Sequence, residues 1–257
     1  MDALLGPDWL LLMVFAWAVA ILGGLVKGVV GFAMPMVVIS GLSTVMPPDV
    51  ALAGLILPTL VSNVWQALRQ GVRAALGSLA KYRVFLLSGM AVLLVSAQVV
   101  RVIPEAVMLL LIGVPVMIYA GFALAGRPLR LPPHPGRRVE AGIGAVAGFF
   151  GGISGVWGPP TVAMLTALDT EKTEQMRVQG VIYGMGAVLL TGAHTASGVL
   201  NRATLPLSLS LILPALFGLW IGFMLQDRID QRLFRRLTLA VLVIAGLNLV
   251  RRGIMSF

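Results

Sequence analysis

The sequence predicts an all-α polytopic membrane protein made of two inverted repeats, each a Gly/Pro-broken helical hairpin followed by three transmembrane helices. Three observations carry that expectation: the composition, a duplicated glycine-proline motif, and the placement of basic residues. Of 257 residues, 58% are hydrophobic and 11% charged, where an ordinary soluble domain carries roughly a quarter charged residues. Apolar stretches recur near 9–26, 28–46, 50–68, 84–100, 106–125, 139–167, 178–200, 204–225 and 237–250. Several reach the ~20 residues that cross a bilayer as a helix.

The motif is Gly24, Gly28, Gly31 and Pro35, matched at constant offset by Gly148, Gly152, Gly155 and Pro159. A duplication of this kind divides the chain into a first transmembrane repeat over 1–125, a cytoplasmic linker over 126–138 and a second transmembrane repeat over 139–257. The N-terminus lacks a basic n-region and carries Asp2 and Asp8, so no cleaved signal peptide is expected. Each half then opens on a long apolar segment, near 10–40 and 139–168. About 30 helical residues would reach ~45 Å, beyond the ~30 Å hydrocarbon core, so a bend at the glycines is expected. Glycine permits strained backbone, and proline favours the first turn of a new helix. A break followed by a fresh helix start results. Three spans of ordinary length follow in each half, with basic connectors such as Arg69 to Arg83 between them.

Charge selects the orientation of the halves. If each long segment crosses once, the halves are parallel and basic residues divide 11 against 7; if it dips in and returns, the halves are inverted and the division is 14 against 4. Cytoplasmic loops concentrate Lys and Arg, so the inverted arrangement is preferred, with both termini outside. Arg251 and Arg252 run against it.

The same placement argues against nucleic acid as a partner. The formal charge of +9 comes from clusters between apolar stretches, not from an amphipathic face. There is no cysteine, and the two histidines cannot form a metal cluster by themselves, so no metal and no cofactor is called for. The partners expected are a small anionic substrate and the lipid bilayer, with room for a homo-oligomer.

Within the apolar segments a few polar residues stand out. Lys27 lies inside the first motif with no charged residue closer than Asp8 or Asp49; it either snorkels to the interface or faces a substrate path. Asp49, Glu105, Glu140, Asp169, Asp227 and Asp230 all fall at the ends of apolar stretches or in connectors, and a cation path would call for carboxylates nearer their centres. A lone lysine beside helix starts near the midplane, whose N–H groups and dipole favour negative charge, points to an anion. Candidate substrate contacts are Lys27, Gly28, Gly31, Asn63, Gln66, Gly152, Ser154, Gly155, Trp157 and Gly158. Asn63 and Gln66 share a helix face and serve either substrate or a neighbouring helix. Gly-x-x-x-Gly also has a plain reading, as a surface for close helix packing. His194 could carry a coupling proton or make a structural hydrogen bond. Trp9 and Trp17 read as interface or packing residues.

The run Gly28 to Pro35, the stretch Gly152-Ile-Ser-Gly-Val-Trp-Gly-Pro-Pro160 and the ending Asp227 to Arg236 before a last span resemble the TauE/SafE family of sulfite and organosulfonate exporters. The resemblance spans nearly the whole chain. It implies movement of sulfite, thiosulfate or sulfonates across a bacterial inner membrane. A secondary transporter of small anions, in the exporting direction, is therefore expected. The alternatives are a passive anion channel and a structural membrane subunit. An enzyme would need a nucleophile, paired carboxylates or a metal cluster within the spans, and none is visible.

Overall fold

The structure is a computed structural model that describes residues 9–96, 104–127, 131–132, 136–154 and 158–256, and among them the regular elements are all α-helices. In chain order these are α1 (Trp9–Val30), α2 (Met34–Leu42), α3 (Pro48–Leu68), α4 (Val72–Lys81), α5 (Arg83–Ser96) and α6 (Glu105–Leu124). Then come α7 (Arg137–Ser154), α8 (Gly158–Ala167), α9 (Lys172–Ala196), α10 (Leu205–Ser210), α11 (Ile212–Arg228) and α12 (Gln231–Met255). Among the described residues four helical spans are long and apolar enough to cross a membrane, namely Leu10–Val30, Pro48–Leu68, Leu205–Arg228 and Gln231–Met255, and the bent pair Val72–Lys81 with Arg83–Ser96 makes a fifth if counted as one span. The protein is thus helical and multi-pass.

Two compact units form, one from Met1–Ala75 with Met176–Asp230 and the other from Leu76–Gln175 with Gln231–Phe257. Each draws on both halves of the sequence.

In the first unit, α1 runs unbroken through Gly23, Gly24 and Gly28 and closes with the amide of Gly31 on the carbonyl of Lys27 at 2.6 Å. The chain then turns at Gly31 and Ala33, whose φ angles of 88° and 74° are left-handed. Pro35 stands in the first turn of α2, where its missing N–H costs nothing. The break therefore comes at the last glycine of the motif. It closes a helix that is already of crossing length, so it marks one end of a span and not its middle. The return leg α2 is only nine residues long. It folds back along α1, with Met34 and Val38 against Gly23 and Gly41 against Val19. That hairpin lets α3 run in the same sense as α1, Asn63 lying level with Lys27 and Gln66 with Gly31.

Gly24 and Gly28 have a different use. A Cβ on Gly24 would overlap the carbonyl of Ala215, and one on Gly28 would sit 2.5 Å from the carbonyl of Leu219. Across the contact, Gly218 and Gly222 press equally closely on the backbone of Ile21, Leu25 and Gly28. In lipid there is little hydrophobic gain from joining two apolar helices, so association rests on close van der Waals approach. Paired glycine stripes supply it, and α1 and α11 lie parallel. The expected bend at the glycines is localised here: the break falls at Gly31, and Gly24 and Gly28 lie within the unbroken helix.

Pro58 sits inside α3 and removes one ladder bond. Ser208 of α10 compensates, its hydroxyl donating to the carbonyl of Gly54 at 3.3 Å and accepting from the amide of Leu57 at 3.1 Å.

In the second unit, α7 lies on α5 with the same device, Gly144 and Gly148 packing on the backbone of Phe85 and Gly89. The pair is again parallel. The Glu140 carboxylate accepts from the Phe85 amide at 3.2 Å, satisfying one of the unpaired donors that open α5. Helices α6 and α12 are antiparallel, Gly113 meeting Gly246 and Gly253 meeting Ala106. Helix α8, with Pro159 buried in its first turn, packs against α6, α7 and α12. The basic connector expected over 69–83 is itself helical as α4, bent 73° from α5.

Candidate functional site

The last turn of α1 turns Lys27 toward α3 and α9. The residue is 2% exposed, so it does not snorkel to water within this chain. Its Nζ donates a short hydrogen bond to Oδ1 of Asn63 and stands 6.0 Å from the centroid of the Tyr183 ring. No carboxylate pairs with it among the described residues. An ammonium carries three N–H donors, and among the described residues one is engaged.

Asn63 and Gln66 are placed by their i, i+3 spacing on the face of α3 that meets α1 and α9. Asn63 donates onward to the Tyr183 carbonyl at 3.3 Å, which fixes the orientation of its amide. Gln66 donates to two carbonyls, Gly31 at 3.1 Å and Met176 at 2.8 Å, and so ties the break of α1 to the start of the α9 segment in this unit. Its Oε1 is buried with no hydrogen-bond partner among the described residues. Helix α9 approaches because Gly180 lies against the backbone of Gln66 and Ala67, where a Cβ would come within 2.5 Å of the Ala67 nitrogen. Gln179 lies against Gly31 on the other side of the break. Helix α2 begins at the break without a side-chain cap, leaving a positive dipole end beside the cluster.

One turn farther toward the same end of α3, Arg69 pairs with Asp227 at 2.5 Å, donates to Gln226 at 3.1 Å and lies over the Phe223 ring at 4.3 Å. Arg177 donates to Gln70. The basic residues of this unit thus gather at the end where α1 breaks.

Of the candidate residues, Lys27, Gly31, Asn63 and Gln66 lie near one another. Gly28 is nearby, but its Cα faces α11. His194 is eleven residues beyond Tyr183 on α9, about 16 Å along the helix, and takes no part in this cluster. Gly152 and Ser154 lie in the last turns of α7, and Gly158 opens α8. Gly155 and Trp157 lie outside the described residues. Gln179, Tyr183 and the Met176 carbonyl were not anticipated. The available signal was Gly180-x-x-x-Gly184 beside Gln175 and Gln179 in an otherwise apolar run, which marks a small-residue contact face with polar neighbours.

What the arrangement can do is hold an anion: a buried cation with a neutral partner, spare N–H donors and an uncapped helix start. Nothing in the cluster is a nucleophile activated by a base. The family model described as sulfite exporter TauE/SafE matches residues 16–249. No curated protein matches the chain, and no solved structure does.

Proposed function

Since the chain belongs to the sulfite exporter TauE/SafE family, membrane transporters of sulfur anions, we propose that it is a secondary transporter that exports small sulfur oxyanions across the inner membrane and binds them at Lys27. Sulfite, thiosulfate and organosulfonates are the candidate substrates. The observation that carries this reading is the Lys27 ammonium, buried against a neutral amide. Isolating such a charge from water is costly unless a counter-charge arrives, so the site favours an anion. Asn63 orients the ammonium, Gln66 and Gly31 hold the break open, and the start of α2 adds its dipole. The second glycine-proline segment supplies further candidates in Gly152, Ser154, Gly155, Trp157 and Gly158.

The inverted repeat is supported by helix senses within each unit. The α1–α2 hairpin returns on itself, and the α1–α11 pair has a counterpart in α7–α5. Each pair joins the opening helix of one half to the third span of the other. Gathering of Arg69, Arg177 and Arg228 at the end of the first unit where α1 breaks fits a cytoplasmic face there.

The test is uptake of labelled sulfite into proteoliposomes under an imposed pH gradient or membrane potential. Accumulation beyond the sulfite equilibrium supports a transporter. Dissipation of the sulfite gradient alone means a channel, and absence of flux with any of the three substrates means a non-transporting subunit.

A further inference from the structure

Resting on the reading of Lys27 as the anion site, we propose that the species bound there is a monoanion that carries its own hydrogen-bond donor, so that sulfite is carried as hydrogensulfite and not as the dianion. Two observations, one of charge and one of polarity, lead to this.

The charge of the cluster is a single positive unit. Lys27 of α1 is the cation; α3 contributes Asn63 and Gln66, both neutral; α9 contributes Met176, Gln179, Gly180, Tyr183 and Gly184. Among the described residues the titratable groups in contact with the site are therefore Lys27 and Tyr183, and Arg177, next to Met176 on α9, is engaged with Gln70. Helix α2 presents Met34 and Val38 to α1, and α11 presents Ala215, Leu219 and Gly222, so neither adds a charge. The Arg69–Asp227 pair a turn away is internally balanced. A monoanion leaves the filled site neutral. A dianion leaves an uncompensated negative charge in a buried setting, which is heavily disfavoured.

The polarity comes from Gln66. Its Nε2 is committed to the Gly31 and Met176 carbonyls, and turning the amide over would set an oxygen against both of them. The orientation is therefore fixed. It leaves Oε1 as an acceptor on a side chain 2% exposed, without a donor among the described residues. A ligand made only of acceptors cannot satisfy it, and a buried polar atom left unmet weakens binding. Hydrogensulfite answers both demands, with one negative charge, oxygens for Lys27 and a proton to donate. A sulfonate bearing a hydroxyl group answers them in the same way.

The experiment measures half-saturation for sulfite in proteoliposomes across the pH range in which sulfite takes up its proton, with methanesulfonate, a fixed monoanion without a donor, measured in parallel. The proposal predicts that half-saturation expressed as total sulfite rises with pH in step with the falling hydrogensulfite fraction, while methanesulfonate stays flat. In addition, Gln66→Met, which also removes the two Nε2 hydrogen bonds, should raise the half-saturation for hydrogensulfite about tenfold more than that for methanesulfonate, the worth of one hydrogen bond. Half-saturation constant in terms of the dianion would overturn the proposal. So would the same pH profile for both anions, which would assign the titration to the protein, or equal losses for both anions in Gln66→Met. If Lys27→Met transports both anions normally, the Lys27 reading itself fails, an outcome distinct from these.

Discussion

Asn63 places a neutral amide oxygen on the ammonium of Lys27 at a position where a carboxylate would cancel the charge. Replacing that amide by a carboxylate tests what the neutrality is for. Asn63→Asp should form an internal ion pair with Lys27, at the loss of the hydrogen bond to the Tyr183 carbonyl, and weaken sulfite binding by ~100-fold, since a buried pair no longer needs an external anion. Unchanged affinity in a folded Asn63→Asp protein would show that the Lys27 charge is not offered to substrate.

Ser208 and Pro58 make a second coupled pair. Ser208→Ala leaves the Gly54 carbonyl and the Leu57 amide without their bridge, a loss of about 1–3 kcal/mol. Pro58→Ala restores the helical ladder of α3, so in that background Ser208→Ala should cost much less. A double-mutant cycle on thermal unfolding measures the difference, and simple additivity would contradict the bridge.

Gly31 and Gly71 share a left-handed backbone, with φ of 88° and 90°, but differ in surroundings. A Cβ at Gly31 collides with the Gln179 side chain, while nothing lies within 4 Å at Gly71. Both Ala substitutions should lose about 1 kcal/mol for the strained φ, and Gly31→Ala should lose more and reduce sulfite affinity. Equal effects on stability and binding would separate the break from the site.

Glu171 precedes α9, its carboxylate accepting from the Thr173 hydroxyl at 2.6 Å and the amides of Thr173 and Glu174 at 3.1 and 3.2 Å. Partial burial pushes its pKa up, but these hydrogen bonds outweigh it and hold the carboxyl below its usual value. A folded-state pKa below the unfolded one means stability present at neutral pH and lost as pH falls through the folded value. Glu171→Ala should therefore lower the melting temperature at neutral pH, by a cap's worth of about 1 kcal/mol, and have little effect in acid. A pH-independent loss would contradict the capping role.

These residues also show what could be read without coordinates. The break was legible because Gly31 and Pro35 punctuate the chain by local backbone chemistry. Lys27, Asn63 and Gln66 were legible because isolated polar groups stand out in apolar runs. Gly24 and Gly28 were ambiguous: a helix-breaking glycine and a helix-packing glycine have the same local sequence, and the partner stripe Gly218–Gly222 lies nearly 200 residues away. Tyr183 and Gln179 escaped notice because only the tertiary approach of α9 to α3, through Gly180, gives them a role. Helix α4 reads as a connector in the sequence because its Arg73 and Lys81, which mark topology, obscure an amphipathic pattern.

The central claim is that the Lys27 ammonium is the anion's counter-charge. Equilibrium binding of sulfite to the purified protein, measured by calorimetry for wild type and Lys27→Met at the same pH, tests it most directly. The account predicts saturable binding to wild type and a loss of at least ~100-fold in Lys27→Met, the scale of removing a buried charge from its partner. Equal affinity for the two proteins, with Lys27→Met folded, would contradict it.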